Sequence, residues 1–115
     1  MLTIRVYRTP DRQVHGLRSV GHADYAEEGS DIVCAGISAL LQTALLGLVQ
    51  VVGAHPSYTV EKGQLHLALA PEELAGTIGE HSRVRLESTL LGLAAIASQY
   101  PKHVRIQEFC TPTPN

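Results

Sequence analysis

Residues 32–52 read IVCAGISALLQTALLGLVQVV and form the longest apolar stretch of the chain. Their apolar residues recur every three or four positions, which predicts a long helix with one buried stripe. We expect this stripe to contain Val33, Ile37, Leu40, Leu41, Ala44, Leu48 and either Val51 or Val52. Ser30 or Asp31 provides a capping oxygen, and Gly53 ends the helix. Because polar residues interrupt the stretch, we interpret it as a core helix that is too polar to span a membrane.

Segments in which apolar and polar residues alternate lie on both sides of this helix and predict β-strands. The predicted strands are Leu2–Arg8, Val14–Val20, Ser57–Glu61, Gln64–Leu69 and a last strand that begins at Val104. A turn containing Pro10 joins the first two strands, because proline fixes the backbone angle φ. Lys62-Gly63 joins the next two strands, as expected for a β-hairpin.

A second long helix is predicted from about Ser82 to Gln99, because Pro101 prevents its continuation. Its inward residues are expected to be Leu86, Leu90, Leu93, Ala94, Ile96 and Ala97. The order β-β-α-β-β-α-β predicts a two-layer α+β fold, in which two long helices cover a mainly antiparallel sheet. We expect one domain over residues 1–110 and a flexible proline-containing tail over residues 111–115.

The composition excludes several classes of protein. The chain has 115 residues, a net charge of −2 and two cysteines. Its nine basic residues form no cluster longer than two, which argues against direct binding of nucleic acid. The alternating N-terminal segment does not resemble a signal peptide, so we expect a cytoplasmic protein with reduced thiols. The histidines and cysteines lack the spacing of a metal site, and we expect neither a metal nor another cofactor.

Cys34 lies in the first predicted turn of the helix that begins at Ile32. Unpaired backbone N–H groups and the helix dipole favour a thiolate at this position. The angular position of Cys34 is about 60° from that of Ile37, at the edge of the buried stripe. A free cysteine is most often a small buried apolar residue. A partly exposed cysteine at a helix N-terminus is, however, placed to act as a nucleophile.

His22 is the natural base for this thiol. It follows a predicted strand, which fixes its backbone, and precedes a flexible loop, which leaves its ring accessible. Its imidazole could take the proton of the Cys34 thiol and later protonate a leaving amine. The sequence alone does not show that the two side chains meet, and a loop histidine is more often a surface residue.

Five further residues are candidates for supporting roles. Gly21 and Gly29 flank the loop and could act as its hinges. Asp31 is interpreted as the helix N-cap rather than as a residue that orients the base. Ser38 could form a hydrogen bond near the thiolate, or bond back to the carbonyl one turn before it. Tyr25 could stack on an aromatic side chain of a substrate, or could simply pack within the protein.

The segment Gly21–Ala35 reads GHADYAEEGSDIVCA. Together with Ser38, it resembles the signature of the ribosomal-processing cysteine protease (Prp) family. The matching features are a His-Ala pair after Gly, the run Gly-x-Asp-Ile-Val-Cys-Ala, and the twelve-residue step between His22 and Cys34. A looser similarity covers the rest of the chain. The chain departs from the family pattern at Gly36, where Ala is expected, but this position does not belong to the catalytic pair.

The resemblance implies a cysteine endopeptidase in which Cys34 is the nucleophile and His22 is its general base. The family removes an N-terminal extension from a large-subunit ribosomal protein during ribosome assembly and cuts after a pair of Phe residues. Its members are homodimers, and the loop between the two catalytic residues is mobile. The implied partners of this chain are therefore the N-terminal peptide of such a ribosomal protein and a second copy of the chain.

Two alternative functions remain open at this point. The protein could be a non-enzymatic, ribosome-associated module in which Cys34 is merely packed. It could also be a thiol redox sensor, which requires a resolving cysteine, and Cys110 is the only candidate. Otherwise Cys110, at the end of the last predicted strand, is interpreted as a structural residue.

Overall fold

The computed structural model describes residues 1–62 and 64–110. Gly63 of the predicted hairpin turn and the predicted tail, residues 111–115, lie outside the described residues. The elements in chain order are β1 (Leu2–Arg8), β2 (Val14–Gly21), α1 (Ile32–Leu46) with a π-helical continuation (Gly47–Val52), β3 (Ser57–Glu61), β4 (Gln64–Ala68), a 3-10 turn (Pro71–Leu74), α2 (Gly76–Gln99) and β5 (Val104–Cys110). This order confirms the predicted α+β fold.

The five strands form one sheet in the order β3-β4-β2-β1-β5. Every neighbouring pair is antiparallel except β1 and β5, which are parallel, so the prediction of a mainly antiparallel sheet is confirmed. Leu2 lies opposite both Gly21 at the end of β2 and Val104 at the start of β5. The loop that leaves β2 and the turn that enters β5 therefore lie at the same end of the strands, beside the start of β1.

The two helices pack against each other and cover one face of the sheet. The core between the layers is aliphatic, and its fully buried members include Ile4, Val6, Leu17, Ile37, Leu41, Leu48, Leu86 and Leu93. The buried stripe of α1 matches the prediction, with Leu40 only half-buried. Of the two candidates for its last member, Val52 is half-buried and packs against the core, whereas Val51, also in the π-helical segment, is 85% exposed.

The second helix begins at Gly76, earlier than the predicted start near Ser82, and ends at Gln99 as predicted. Glycines at its first turn conceal this start, because glycine is a poor helix former. Gly79 is required there for a packing reason: a Cβ atom would lie 2.4 Å from the carbonyl oxygen of Leu74. The predicted inward residues are buried or half-buried except for Ala94, which is exposed.

The helix over Ile32–Val52 is long and apolar enough to cross a membrane, with a mean hydropathy of 2.1 in its most apolar window. Length and composition alone therefore do not exclude a membrane span, but the core helix of a water-soluble protein can have the same length and composition. The inner face of the helix nevertheless packs against the sheet through Val33, Ile37 and Leu41, as in a core helix. Only 28% of the window is buried, which leaves a large apolar outer face.

Candidate active site

The loop between β2 and α1 begins at a position that only glycine fits. Gly21 has φ of +85°, and a Cβ atom there would lie 2.6 Å from the carbonyl oxygen of Met1. Gly29, near the other end of the loop, has φ of +88°. Glycine adopts this left-handed conformation without the steric penalty that other residues incur. The geometry explains why both glycines flank the loop, while their role as hinges stays a prediction.

Asp31 caps α1 and also holds the loop. Its Oδ1 accepts hydrogen bonds of 3.0 Å from the backbone N–H groups of Val33 and Cys34. Its Oδ2 accepts from the N–H groups of Tyr25 and Ala26, at 3.0 and 3.3 Å. Partial burial alone would raise the pKa of the Asp31 carboxyl, but these four bonds outweigh it and hold the pKa below its usual value. One carboxylate thus joins the loop to the first turn of the helix.

Cys34 is half-buried, and its Sγ accepts a hydrogen bond of 3.3 Å from the backbone N–H of Ala23. Burial raises the pKa of the Cys34 thiol, and the negative charges of Asp31 and Asp24 raise it further, while the N–H of Ala23 opposes the change. The expectation of a lowered pKa was therefore wrong for this structure. Sequence reasoning considered the helix N-terminus, but it did not include the two carboxylates that lie beside the thiol.

A cavity of about 770 Å³ opens beside the Cys34 thiol. Its apolar lining includes Leu2, Ile37, Leu41 and Leu65, and its polar lining includes Asp24, Glu28, Asp31 and Glu61. Glu28, from the loop, forms an ion pair of 2.8 Å with Lys62, from the β3–β4 hairpin. The cavity therefore combines an apolar wall with an acidic rim, and one salt bridge spans from the loop to the hairpin.

His22 lines the same cavity as Cys34, and its side chain is exposed. Within residues 1–62 and 64–110, no hydrogen bond joins the His22 ring to the Cys34 sulfur. His22 lies close enough to Glu28 for its charge to lower the pKa of that carboxyl, although the hydrogen bond from Lys62 has the larger effect. The structure thus brings the two predicted catalytic residues to one cavity without a direct bond between them.

Ser38 and Tyr25 take different places from those considered in the sequence analysis. Ser38 lines the cavity, and its Oγ accepts a hydrogen bond of 2.8 Å from the side-chain amide of Gln42 rather than bonding to the thiol. The ring of Tyr25 packs edge-on against Tyr100 and His103, with centroid distances of 5.3 and 5.4 Å. It is not part of the described cavity lining. A role for Tyr25 in substrate binding therefore stays a prediction.

Sequence reasoning missed two groups at the site. The first is the backbone N–H of Ala23: this residue belongs to the matched His-Ala pair, but the motif indicates no role for its N–H. The second is His103, whose Nδ1 lies 2.8 Å from the carbonyl oxygen of Ala23. The two residues are 80 positions apart, and they meet only because β2 and β5 both flank β1. Among the residues that the structure describes, no cluster of three or more His, Cys, Asp or Glu side chains could hold a metal ion.

Cys110 lies far from Cys34. It pairs with Arg8 at one end of β1, whereas Cys34 bonds to the loop that starts opposite Leu2, at the other end. A strand rises about 3.3 Å per residue, so the two ends of β1 are about 20 Å apart. A disulfide requires Cα atoms within about 7 Å of each other. This separation removes the geometric basis for Cys110 as a resolving thiol.

Comparison with known proteins is consistent with this geometry. A protein from Bacillus subtilis named ribosomal processing cysteine protease Prp is 26% identical to this chain, over 92% of the chain and 96% of its own length. A protein of the same name from Staphylococcus aureus is 27% identical, over 92% of the chain and 97% of its own length. The crystal structure of an essential ribosomal processing protease from S. aureus, in complex with a covalently linked product peptide, superposes with a TM-score of 0.84. It is 25% identical and covers 95% of this chain and 100% of its own. The sequence profile of the family described as cysteine protease Prp matches residues 1–105, and the chain therefore belongs to that family.

Proposed function

We propose that this protein is an endopeptidase that removes the N-terminal extension of a large-subunit ribosomal protein, with Cys34 as nucleophile and His22 as general base. One observation carries the proposal. The thiol of Cys34 lies in the first turn of α1, at the wall of a cavity that His22 also lines, and it already accepts a backbone hydrogen bond. Membership of a cysteine protease family supports the reaction class.

The proposed reaction begins when His22 takes the proton of the Cys34 thiol. The thiolate attacks the peptide carbonyl carbon, and the tetrahedral intermediate collapses as the imidazolium gives its proton to the leaving amine. Water then attacks the thioester with His22 as base, which releases the carboxylate product and restores the thiol. Catalytic hydrogen bonds often tighten only when substrate binds, so the absence of a direct His22–Cys34 bond is compatible with this mechanism.

The character of the cavity supports a peptide substrate with both apolar and basic residues. Its apolar wall can accept aromatic side chains, such as the Phe pair that the family resemblance implies. Its acidic rim includes Asp24, Glu28, Asp31 and Glu61, against Lys62, and favours a basic peptide by electrostatic attraction. Relatives named ribosomal processing cysteine protease support a ribosomal protein as the source of this peptide, and the family resemblance implies its N-terminal segment.

We further propose that the enzyme is a cytoplasmic homodimer. The outer faces of the two helices expose aliphatic side chains, among them Leu46, Val51 at 85% and Leu91 at 73%. A stable dimer that covers them should bury about 1,200–2,000 Å² in total. Light scattering at low micromolar concentration should give about twice the chain mass of 12.4 kDa, and a mass of one chain at every concentration would contradict the dimer. Two unpaired cysteines favour a reducing compartment.

The cleavage proposal is tested with a peptide that spans the N-terminal extension of the presumed substrate. Cys34→Ala should abolish cleavage and leave the circular dichroism spectrum unchanged. Cys110→Ala is the matched control, because it removes the other thiol at a distance from the cavity, and it should retain activity. Appreciable cleavage by Cys34→Ala, or no cleavage by the wild-type protein, contradicts the proposal.

A further inference from the structure

The turn that leads into β5 holds His103 in a fixed position relative to β1. The backbone N–H of His103 donates to the carbonyl of Tyr100 at 2.9 Å, and its own carbonyl accepts from the N–H of Leu2 at 2.9 Å. The N–H of Val104 also donates to the carbonyl of Tyr100, at 3.0 Å. Because both the N–H and the carbonyl of His103 are hydrogen-bonded, the backbone holds the base of its side chain in a defined position near the start of β1.

The ring of His103 reaches the loop that carries the proposed base. Its Nδ1 lies 2.8 Å from the carbonyl oxygen of Ala23. A carbonyl oxygen only accepts hydrogen bonds, so Nδ1 carries the proton in this contact. The ring of His103 also packs nearly perpendicular to the ring of Tyr25, with 5.4 Å between the two centroids.

Ala23 connects this ring to the nucleophile. It is only 1% exposed, its carbonyl accepts the bond from His103, and its N–H donates to Cys34 Sγ at 3.3 Å. Ala23 also directly follows His22, the proposed base. A continuous line of contacts therefore runs from the start of β5 through Ala23 to the sulfur atom.

We propose that His103 is a positioning residue of the active site: its Nδ1–H holds the Ala23 carbonyl, so that the Ala23 N–H stays aimed at the Cys34 sulfur. The inference rests on the proposed role of Cys34 as nucleophile. His103 does not touch the reacting atoms and acts only through Ala23. Hydrogen bonds to an ionised acceptor are stronger than those to a neutral one, so the held N–H favours the thiolate over the thiol.

The charges around the thiol make this contact important. Asp31, at the helix cap, and Asp24, in the loop, both disfavour the thiolate, as does burial. Among the groups that shift the pKa of Cys34, the N–H of Ala23 is the one that favours the charged form. His22 lines the same cavity but makes no hydrogen bond to the sulfur within the described part of the chain. If Ala23 moves away, the remaining shifts all suppress the thiolate.

The test measures the pH profile of Cys34 alkylation by iodoacetamide in a Cys110→Ser background, because Cys110 is exposed and would also react. His103→Phe keeps an aromatic ring but removes the donor, and it should slow alkylation near neutral pH by about three- to tenfold and move the profile to higher pH. His103→Asn presents an amide N–H close to the position of Nδ1 and should stay within about twofold of the parent. His81→Phe, on the exposed side of α2, is the matched control and should leave the profile unchanged.

A parent-like profile for folded His103→Phe, or equal slowing in His103→Asn, overturns the proposal. A purely structural role would lower the denaturation midpoint of His103→Phe without moving the profile. Ring ¹⁵N shifts of the wild-type protein provide a test that needs no variant: the Nδ1–H tautomer is expected for neutral His103, and the Nε2–H tautomer contradicts the inference. These measurements use no peptide substrate. Failure to cleave a peptide would therefore count against the proposed function but not against the role of His103 beside the thiol.

Discussion

Replacement of Asp31 separates the two tasks of its carboxylate, which caps α1 through Val33 and Cys34 and tethers the loop through Tyr25 and Ala26. Loss of an N-cap costs about 1 kcal/mol, and loss of the two exposed loop bonds adds about 1 kcal/mol. Asp31→Ala should therefore destabilise the fold by about 2 kcal/mol, which lowers the Tm by about 8 °C for a domain of this size. Asp31→Asn keeps an oxygen for the cap, so it should cost about half as much.

The same substitution should change the reactivity of the thiol. The charge of Asp31 raises the pKa of Cys34, so Asp31→Asn should lower this pKa and move the alkylation profile to lower pH. Asp24→Asn is the control, because Asp24 has a smaller effect and should shift the profile less. An unchanged profile, or a shift to higher pH, would show that freeing the loop also removes the Ala23 hydrogen bond, and would refute the simple electrostatic reasoning.

The pH dependence of stability offers a second check on Asp31. Its pKa in the folded protein is lowered, so its ionised form stabilises the fold above the ordinary carboxyl pKa of about 3.9. This contribution is lost as the pH falls through the lowered folded-state pKa. The difference in denaturation midpoint between wild type and Asp31→Asn should accordingly shrink in acid, and a constant difference would contradict the assignment.

Three further predictions follow from the site and the core. His22→Ala should strongly slow both peptide cleavage and alkylation of Cys34 near neutral pH, as measured by mass spectrometry; unchanged rates would exclude His22 as the base. Leu41→Ala should lower the free energy of unfolding by about 2–5 kcal/mol in urea, since Leu41 is 1% exposed in the core; a loss below 1 kcal/mol would contradict its placement. Lys62→Met removes an exposed ion pair to Glu28 and should leave the denaturation midpoint unchanged within error.

The fold was predictable because its local signals agree with one another. The alternation of apolar and polar residues predicted the ends of β1, β2 and β3 to within one residue. Gly53 and Pro101 correctly indicated where the helices end. The early start of α2 was not predictable, because Gly76 and Gly79 disfavour a helix locally and only the contact with Leu74 explains Gly79. The π-helical turns after Leu46 were also missed, since no local pattern distinguishes them from α-helix.

The site was predictable where it lies within one contiguous segment. The capping role of Asp31 and the position of Cys34 follow from their places at the start of α1, and the structure confirms the cap. The contact between Ala23 and His103 depends on the parallel pairing of β1 with β5, which residue spacing cannot indicate. The raised pKa of Cys34 was missed because it depends on burial and on where two carboxylates point.

The groups that shift the pKa of the proposed nucleophile, Cys34, lie in the loop before α1 and at its junction with the helix. Burial aside, the groups that shift the pKa of Cys34 are the N–H of Ala23 and the carboxylates of Asp24 and Asp31, and all of them belong to the loop or to its junction with α1. The loop is exposed over most of its length, and its contacts with the rest of the protein include those with Asp31, His103 and Lys62. A peptide that enters the cavity must contact this loop, since His22, Asp24 and Glu28 line it. We therefore expect substrate binding and thiol ionisation to be coupled through residues 22–31, so that a change that frees the loop affects both.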